Sequence, residues 1–579
     1  MVYPSSCYWS RAVQVHTQRS SVHFASLVSS TEPPCIEVPY GPPAQVAMDT
    51  FEPVSAECVR TLLANLDATK SYGPDGIHPW VLKVAADSLA SSVTNLFNCS
   101  LRTGKVPLAF KLADITPILK PKLDSFLPES YRGISLTAIL SKVLEKVVRQ
   151  QIFETFPADE LFDDQQYGFR SCRCCQDYVL TCVDRWQLAK DEGKAVAVVL
   201  LDLSKAFDNV QHQTLLLDLG KKHFAGTVLT WFHSYLSNRF QRVAVGGHAA
   251  DLVPVTKGVP QGSILGPLLF NLYLAHLPSL VESLPVHIPS YADDVSLYSV
   301  AGNLQEAMAL ASKATSAVCT NLGERGLIIN VKKSCVVLIG RNSADRCEGL
   351  QLTYKDIFIP AVLKTKLLGV MLDDRLSWED EVNHIVTKVG RKLGAFHRDR
   401  RLLNAQARRM YLLSVIIPDL DYCCLVFAFC LRAADRQKLE TLERRAIRIC
   451  VGADSLAPCD QFYTELKILP LKVRWMVRAL CCTYEAVYGM RPTSVCSMFD
   501  RQSHRYQTRG TTSSPLLPRR AGHEVVKRSF SFLSSLLWNS LSSAVRNVVS
   551  QSEFKRCLLS LSESEMDKLL SLAYSALQT

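Results

Sequence analysis

Apolar residues along the chain follow two spacings, and the switches between them outline the elements. From about 55 to 66 they recur every three or four positions, which predicts a helix. Gly73-Pro74-Asp75-Gly76 then forms a strong turn signal, and Pro79 suits the first turn of the next helix. On that helix Leu82, Ala85, Ala86, Leu89 and Val93 share one face. Residues 112–120 read as a strand running into a basic loop, and a helix reaching about Arg149 follows the segment Tyr131 to Leu136. Ala195 to Leu201 is an unbroken apolar run with Asp202 at its end, the pattern of a central strand covered on both faces. The spacing turns helical after Asp208 through about Leu219, and again over 224–237. A second pair of strand-like runs brackets Ala292-Asp293-Asp294. These patterns predict a mixed α and β centre with an antiparallel hairpin. After about 372 the spacing is mainly helical, over 379–398, 404–417, 432–449 and 471–488.

Composition narrows this picture. A chain of 579 residues is too long for one ordinary core, and 48% apolar content suits a folded protein. The net charge of +11 favours a polyanionic partner, though many basic proteins bind no nucleic acid. The 20 cysteines are scattered and often adjacent, unlike a small secreted disulfide scaffold. A reducing compartment and no disulfide-linked partner are expected. Cys172, Cys174 and Cys175 lack the paired spacing of a structural zinc site. The N-terminus lacks a basic segment followed by an apolar core, so secretion is not expected. Pro418, Asp419 and Asp421 interrupt the apolar stretch from Leu412 to Leu431, which makes it a poor spanning helix. The expected setting is intracellular, cytoplasmic or nuclear, with no membrane partner. Residues 31–43 carry five prolines, and residues 501–520 are rich in Ser, Thr, Arg, Gly and Pro, as in a linker.

The candidate chemistry is acidic. A lone Asp-Asp pair is more often a turn or a solvated face. Here Asp293-Asp294 interrupts two apolar runs, a costly insertion into a sheet unless cations offset the repulsion. Adding Asp202 gives three carboxylates suited to two magnesium ions about 3.5–4 Å apart, the arrangement used in phosphoryl transfer. The backbone carbonyl of Leu203 could add an oxygen, and Asp208 reads as a helix N-cap. Phe207, five positions after Asp202, is either a core aromatic or a ring lying under the sugar of an incoming nucleotide. Gly258 and Gly262 permit a close backbone approach in the segment Gly258-Val259-Pro260-Gln261-Gly262-Ser263, where Gln261 can touch a nucleotide or the template. Lys120 and Arg132 are candidate triphosphate contacts and Lys333 a candidate pyrophosphate contact, each against the plain alternative of an exposed basic residue. Arg444, Arg445 and Arg448 could grip a duplex or simply form a solvated helix face.

Taken in order, these motifs resemble the reverse transcriptases of animal non-LTR retrotransposons of the jockey-like or CR1-like kind. The resemblance rests on Ala113 to Pro121, Tyr131 to Leu136, Gln166-Tyr167-Gly168-Phe169-Arg170, Leu203-Ser204-Lys205-Ala206-Phe207-Asp208, Gly258 to Pro267, Tyr291-Ala292-Asp293-Asp294 and Lys366-Leu367-Leu368-Gly369-Val370. It implies an α+β right-hand polymerase fold of fingers, palm and thumb with a mainly helical C-terminal extension. The implied division is an irregular tail over 1–50, a helical extension over 51–100 and fingers and palm over 101–372. A helical thumb and connection over 373–500, a linker over 501–522 and a small helical unit over 523–579 complete it. The implied activity is RNA-templated DNA synthesis from a nicked DNA primer with dNTPs. Asp202, Asp293 and Asp294 would be catalytic, Phe207 the sugar gate, Gln261 part of the nucleotide pocket and Arg132 the grip on the triphosphate. Two departures stand out. Gly133 replaces a proline frequent in the family, and about fifty residues before the first matching helix leave no room for the upstream endonuclease, so the chain resembles a fragment of a mobile element, with a separate endonuclease as a candidate partner. The alternatives are a domesticated palm that binds RNA without copying it, and an RNA-dependent RNA polymerase.

Overall fold

The computed structural model describes residues 47–121, 124–340, 352–354, 357–501, 515–518 and 527–575. The tail expected over 1–50 and the linker expected over 501–522 lie largely outside the described residues. In chain order the principal elements are β1 (Leu112–Leu119), β2 (Tyr131–Thr137), α1 (Ile139–Thr155), α2 (Cys175–Asp191), β3 (Ala195–Ser204), β4 (Arg239–Val245), α3 (Gly266–Leu274), β5 (Asp294–Ala301), β6 (Cys335–Ile339), β7 (Lys364–Leu367), β8 (Val370–Asp373), α4 (Glu379–Asp399), α5 (Ala433–Val451) and α6 (Leu471–Val487). The chain forms two compact units. The first comprises Met1–Phe169, Asp202–Leu280 and Ala317–Asn330; the second comprises Arg170–Leu201, Val281–Ser316 and Val331–Thr579.

In the first unit, β1 is the middle of a sheet. It pairs antiparallel with β2, from Ala113↔Thr137 to Leu119↔Tyr131, and parallel with β4, from Leu112↔Phe240 to Ile115↔Val243. Alternation sends Ala113 and Ile115 inward onto Val243. Asp114 faces the other way and meets Arg242 at 2.7 Å. The apolar stripe expected after Pro79 is present but divided between two helices, Pro79–Val84 and Ala86–Thr103. Ala85 breaks the first and starts the second; of the expected stripe Leu82, Ala86 and Val93 are buried and Ala85 and Leu89 half-buried, with Ala90 buried beside them. The longer helix ends on Gly104 at φ 66, a left-handed cap that glycine adopts without strain.

The second unit holds Ala195–Leu201 of β3 between β5 and β6. Val196 to Leu200 pair with Ile339 to Cys335 in antiparallel register. Burial on both faces, with Ala195 to Val199 and Leu201 each 5% exposed or less, explains why this segment is apolar at every position. From α2, Tyr178 hydrogen-bonds Ser296 on β5. The helical part beyond β8 packs by its period. Val382, Ile385, Val389, Leu393 and Phe396 form the buried stripe of α4. Arg474 on α6 joins two buried carboxylates, Asp421 and Glu443, at 2.7 Å each. The stretch Ala405–Phe427 is long and apolar enough by composition to cross a membrane, yet more than half of it is buried within this unit. Its Asp419 pairs with Lys388 and Lys392 of α4. Near the C-terminus, Ser531 donates to Asp184 of α2 at 2.7 Å, and Phe554 stacks on Tyr484 of α6 at 4.5 Å. The architecture is mixed α/β with a largely helical C-terminal region.

Candidate nucleotide pocket and acidic hairpin

The glycine-rich segment is a turn held by backbone hydrogen bonds from three directions within the first unit. Gly258 N–H donates to Val210 at 2.7 Å, Val259 N–H to Phe207 at 2.8 Å, and Gln261 accepts from Ser135 N–H of β2 at 2.8 Å. The approach is too close for other residues. A Cβ on Gly258 would lie 2.8 Å from the Asp208 carbonyl oxygen, and one on Gly262 would lie 2.6 Å from that of Ser135. Both glycines also sit at positive φ, 88° and 128°, which L side chains disfavour. The turn therefore brings Phe207, Asp208, Ser135, Gln261 and Gly262 together from three distant stretches of chain.

A small cavity of about 30 Å³ lies along this turn, lined among others by Ser135, Asp208, Arg239, Lys257, Gly258 and Gln261. Phe207 stacks on the buried Phe270 of α3 at 4.5 Å, and Phe169 meets it edge-on at 6.2 Å. Asp208 lies in the short 3-10 turn Ala206–Asn209, so it does not cap the following helix as its sequence suggests. That helix starts at His212 with Gln211 as its cap residue, since Asp208 is drawn under the glycine-rich turn instead. Burial pushes the Asp208 carboxyl up to about 6, against the pull of Lys205, Lys257 and Lys120. Three lysines facing one carboxylate leave the neighbourhood positive, as a polyphosphate needs. Lys205 is itself lowered by burial and held at a left-handed φ of 48°. Arg239 is buried, and its Nη2 has no hydrogen-bond partner among the described residues. Burial drives the His212 imidazole down to about 4, and its Nε2 lies 2.7 Å from the Gly258 carbonyl oxygen. A neutral ring donating to that carbonyl satisfies both.

Lys120 follows β1 directly and donates through Nζ to the Glu129 carbonyl at 3.0 Å. Arg132 is exposed on β2, opposite Ile118. Asp202 is not the last residue of its strand. Leu203 and Ser204 continue β3 by pairing with Ile329 and Ile328, and Asn330 N–H donates to the Asp202 carbonyl at 2.8 Å.

Asp293, Asp294 and Lys333 belong to the second unit. Ser290–Tyr291 pairs with Val295 and Asp294, so Ala292-Asp293 is a two-residue hairpin turn. Ala292 takes φ 57° where such turns favour glycine, at a cost of about 1 kcal/mol or more. Its small side chain is buried, while Asp293 and Asp294 are exposed at the tip. Lys333 is exposed in the turn before β6. Among the described residues, no group of three or more His, Cys, Asp or Glu side chains is arranged to hold a metal ion. The donor chemistry of Asp202, Asp293 and Asp294 nevertheless fits a hard divalent cation, because all three offer carboxylate oxygen. On α5, Arg444 is exposed and pairs with Glu440, Arg445 is exposed, and Arg448 is half-buried and donates to the Ala457 carbonyl at 2.8 Å. Lys205, Lys257 and Arg239 were not singled out from sequence. Lys205 and Lys257 adjoin recognised motifs, whereas nothing local marks Arg239.

Comparison with known proteins shows what the chain is similar to. Residues 118–372 match the family model described as reverse transcriptase (RNA-dependent DNA polymerase). The chain is 27% identical over 437 residues to a probable RNA-directed DNA polymerase from transposon X-element of Drosophila melanogaster, covering 72% of this chain and 46% of that protein. It is 27% identical over 425 residues to the RNA-directed DNA polymerase from mobile element jockey of the same organism, with the same coverage, 72% and 46%. The Drosophila funebris jockey enzyme is 25% identical over 466 residues, covering 78% and 50%. The chain thus spans about half the length of these relatives. The likenesses are family-level support for a reverse transcriptase of the non-LTR retrotransposon kind.

Proposed function

We propose that the chain is an RNA-directed DNA polymerase, extending a DNA primer 3′-hydroxyl with dNTPs on an RNA template. The observation that carries this reading is the Gly258–Ser263 turn bound to Ser135 and Phe207, with Lys120, Lys205 and Lys257 around Asp208. Lys120 and Arg132 bind the triphosphate, Gln261 and Gly262 hold the nucleotide against β2, and the Phe207 ring excludes a 2′-hydroxyl. Its stacking on Phe270 supports that role, because a ring backed by a buried aromatic yields little. Asp202, Asp293, Asp294 and the Leu203 carbonyl are read as ligands of two magnesium ions, from their oxygen chemistry and the family resemblance. When bound, the ions would activate the primer hydroxyl and neutralise the phosphates. Lys333 steadies the departing pyrophosphate. Arg444 and Arg445 of α5 are taken as contacts to the template–primer duplex, with Arg448 completing that face. The reading carries with it an intracellular setting and a nicked target DNA as primer.

Primer extension on RNA and DNA templates, with dNTPs and with rNTPs, tests it. DNA product on the RNA template is expected. RNA binding without product would favour a domesticated palm, and ribonucleotide incorporation an RNA polymerase.

A further inference from the structure

The helix α3 begins where the glycine-rich turn ends, and its own sequence supplies no cap. Its cap residue is Leu265, which has no side-chain oxygen for the first backbone N–H groups. The missing acceptor comes from α1, 120 positions away. Glu145 Oε2 accepts the backbone N–H of Ile264 at 2.8 Å and of Leu265 at 3.0 Å. Ser141, one turn earlier on α1, donates to Oε1 at 3.2 Å. The Glu145 carboxyl is 1% exposed. Burial raises it, while the two N–H donors, the Arg239 guanidinium and Ser141 oppose that shift. A buried carboxylate is costly, and this one is offset by three hydrogen bonds and a neighbouring cation.

Its target matters more than its burial. Ile264 and Leu265 follow Gln261-Gly262-Ser263 directly. Ser263 closes the turn internally, donating through Oγ to Pro260 at 2.9 Å and accepting Gly266 N–H at 2.9 Å. The turn is thus braced inside by Ser263, on β2 by Ser135, and from α1 by Glu145. Arg239 completes the link, because it lines the small cavity beside Gln261 and acts electrostatically on Glu145.

We propose that Glu145 is a positioning residue of the nucleotide site, fixing through the Ile264 and Leu265 amides where Gln261 and Gly262 stand against Ser135. The inference rests on the polymerase reading above. It differs from a plain helix-capping role by its readout. A cap that only stabilises α3 changes the amount of folded enzyme, whereas a brace on the turn changes nucleotide affinity.

Two variants separate these roles. Glu145→Asp withdraws the carboxylate by one carbon–carbon bond, about 1.5 Å, beyond hydrogen-bond reach. Glu145→Gln keeps an acceptor oxygen in place. Single-nucleotide extension on an RNA template is measured for each, with amide exchange at Ile264 and Leu265. Glu145→Asp is expected to raise the dNTP KM by about fivefold or more with kcat within about twofold, and Glu145→Gln to restore KM to near the wild-type value. Both amides should exchange faster in Glu145→Asp only. A Glu145→Asp enzyme with unchanged KM, or unchanged exchange at the two amides, overturns the proposal. A wild-type chain that makes no product removes the polymerase reading instead, and the exchange measurement then decides by itself whether Glu145 holds the turn.

Discussion

At the scale of single residues, the candidate site separates charge from shape. Asp293 is exposed at a strained hairpin tip, so its amide isostere fits without repacking. Asp293→Asn is expected to abolish primer extension while leaving RNA binding within about twofold, since RNA affinity comes from contacts to the backbone phosphates. Phe207→Val removes the ring stacked on Phe270 and is expected to admit ribonucleotides, read as a fall of about tenfold or more in dNTP-over-rNTP discrimination. Unchanged discrimination would return Phe207 to the core. His212 gives a stability signature. Its folded value of about 4 lies below the ordinary 6.5, so the unfolded chain binds the extra proton between those limits. The contribution is present above pH 6.5 and is lost as pH falls towards 4, about 2 kcal/mol between pH 7 and pH 5. Asp208 has the opposite sign. Raised to about 6, it favours the folded state below its ordinary value and loses that contribution as pH rises through 6. His212→Gln keeps a donor for the Gly258 carbonyl and leaves Asp208 alone. Urea midpoints at pH 5 and pH 7 should differ little in the wild type, because a gain of about 1.3 kcal/mol from Asp208 offsets most of the His212 loss, and should show higher stability at pH 5 in the variant, where only the Asp208 contribution remains.

At the scale of elements, the glycine-rich turn is where local rules and packing meet. Gly262→Ala places a Cβ 2.6 Å from the Ser135 carbonyl oxygen at a φ of 128°. The expected cost is about 1–3 kcal/mol in stability, with a loss of nucleotide affinity, because β2 and the turn must part. Thermal melting and dNTP KM check both. Much of this element was legible in the sequence: glycines at a tight approach, a Pro and the start of a helix. The motif did not reveal what the turn leans on. The same division holds for β3. The apolar run announced a buried strand, but its extension past Asp202 depends on pairing with Ile328–Ile329, more than 120 positions later. The helix after Pro79 shows the reverse case. Of its expected stripe Leu82, Ala86 and Val93 are buried, but Ala85 and Leu89 are half-buried, and at Ala85 the chain divides into a helix of 6 residues and one of 18.

At the scale of the whole molecule, the charge of +11 becomes meaningful only beside the polymerase reading. Binding to single-stranded RNA is expected to weaken linearly on a log–log plot against salt, with a slope of about −0.7 per phosphate neutralised. Measured with an RNA–DNA hybrid instead, Arg444→Ala with Arg445→Ala should reduce the slope by about 1 or more if α5 touches the duplex, and leave it unchanged if α5 only faces solvent. Arg448 differs from these two, because its Nε is committed to the Ala457 carbonyl.

The sequence by itself determined the elements, through periodicity and turn chemistry, and the candidate chemistry, through the order of its acidic, aromatic and glycine-rich motifs. Those signals are local, and a short window contains them. Tertiary structure alone decided which polar groups are buried and which partners they meet. Asp208 is raised and His212 lowered only because packing removes them from water. Glu145 can serve Ile264 and Leu265 only because folding closes a gap of 120 residues, and no pattern in either segment records that meeting.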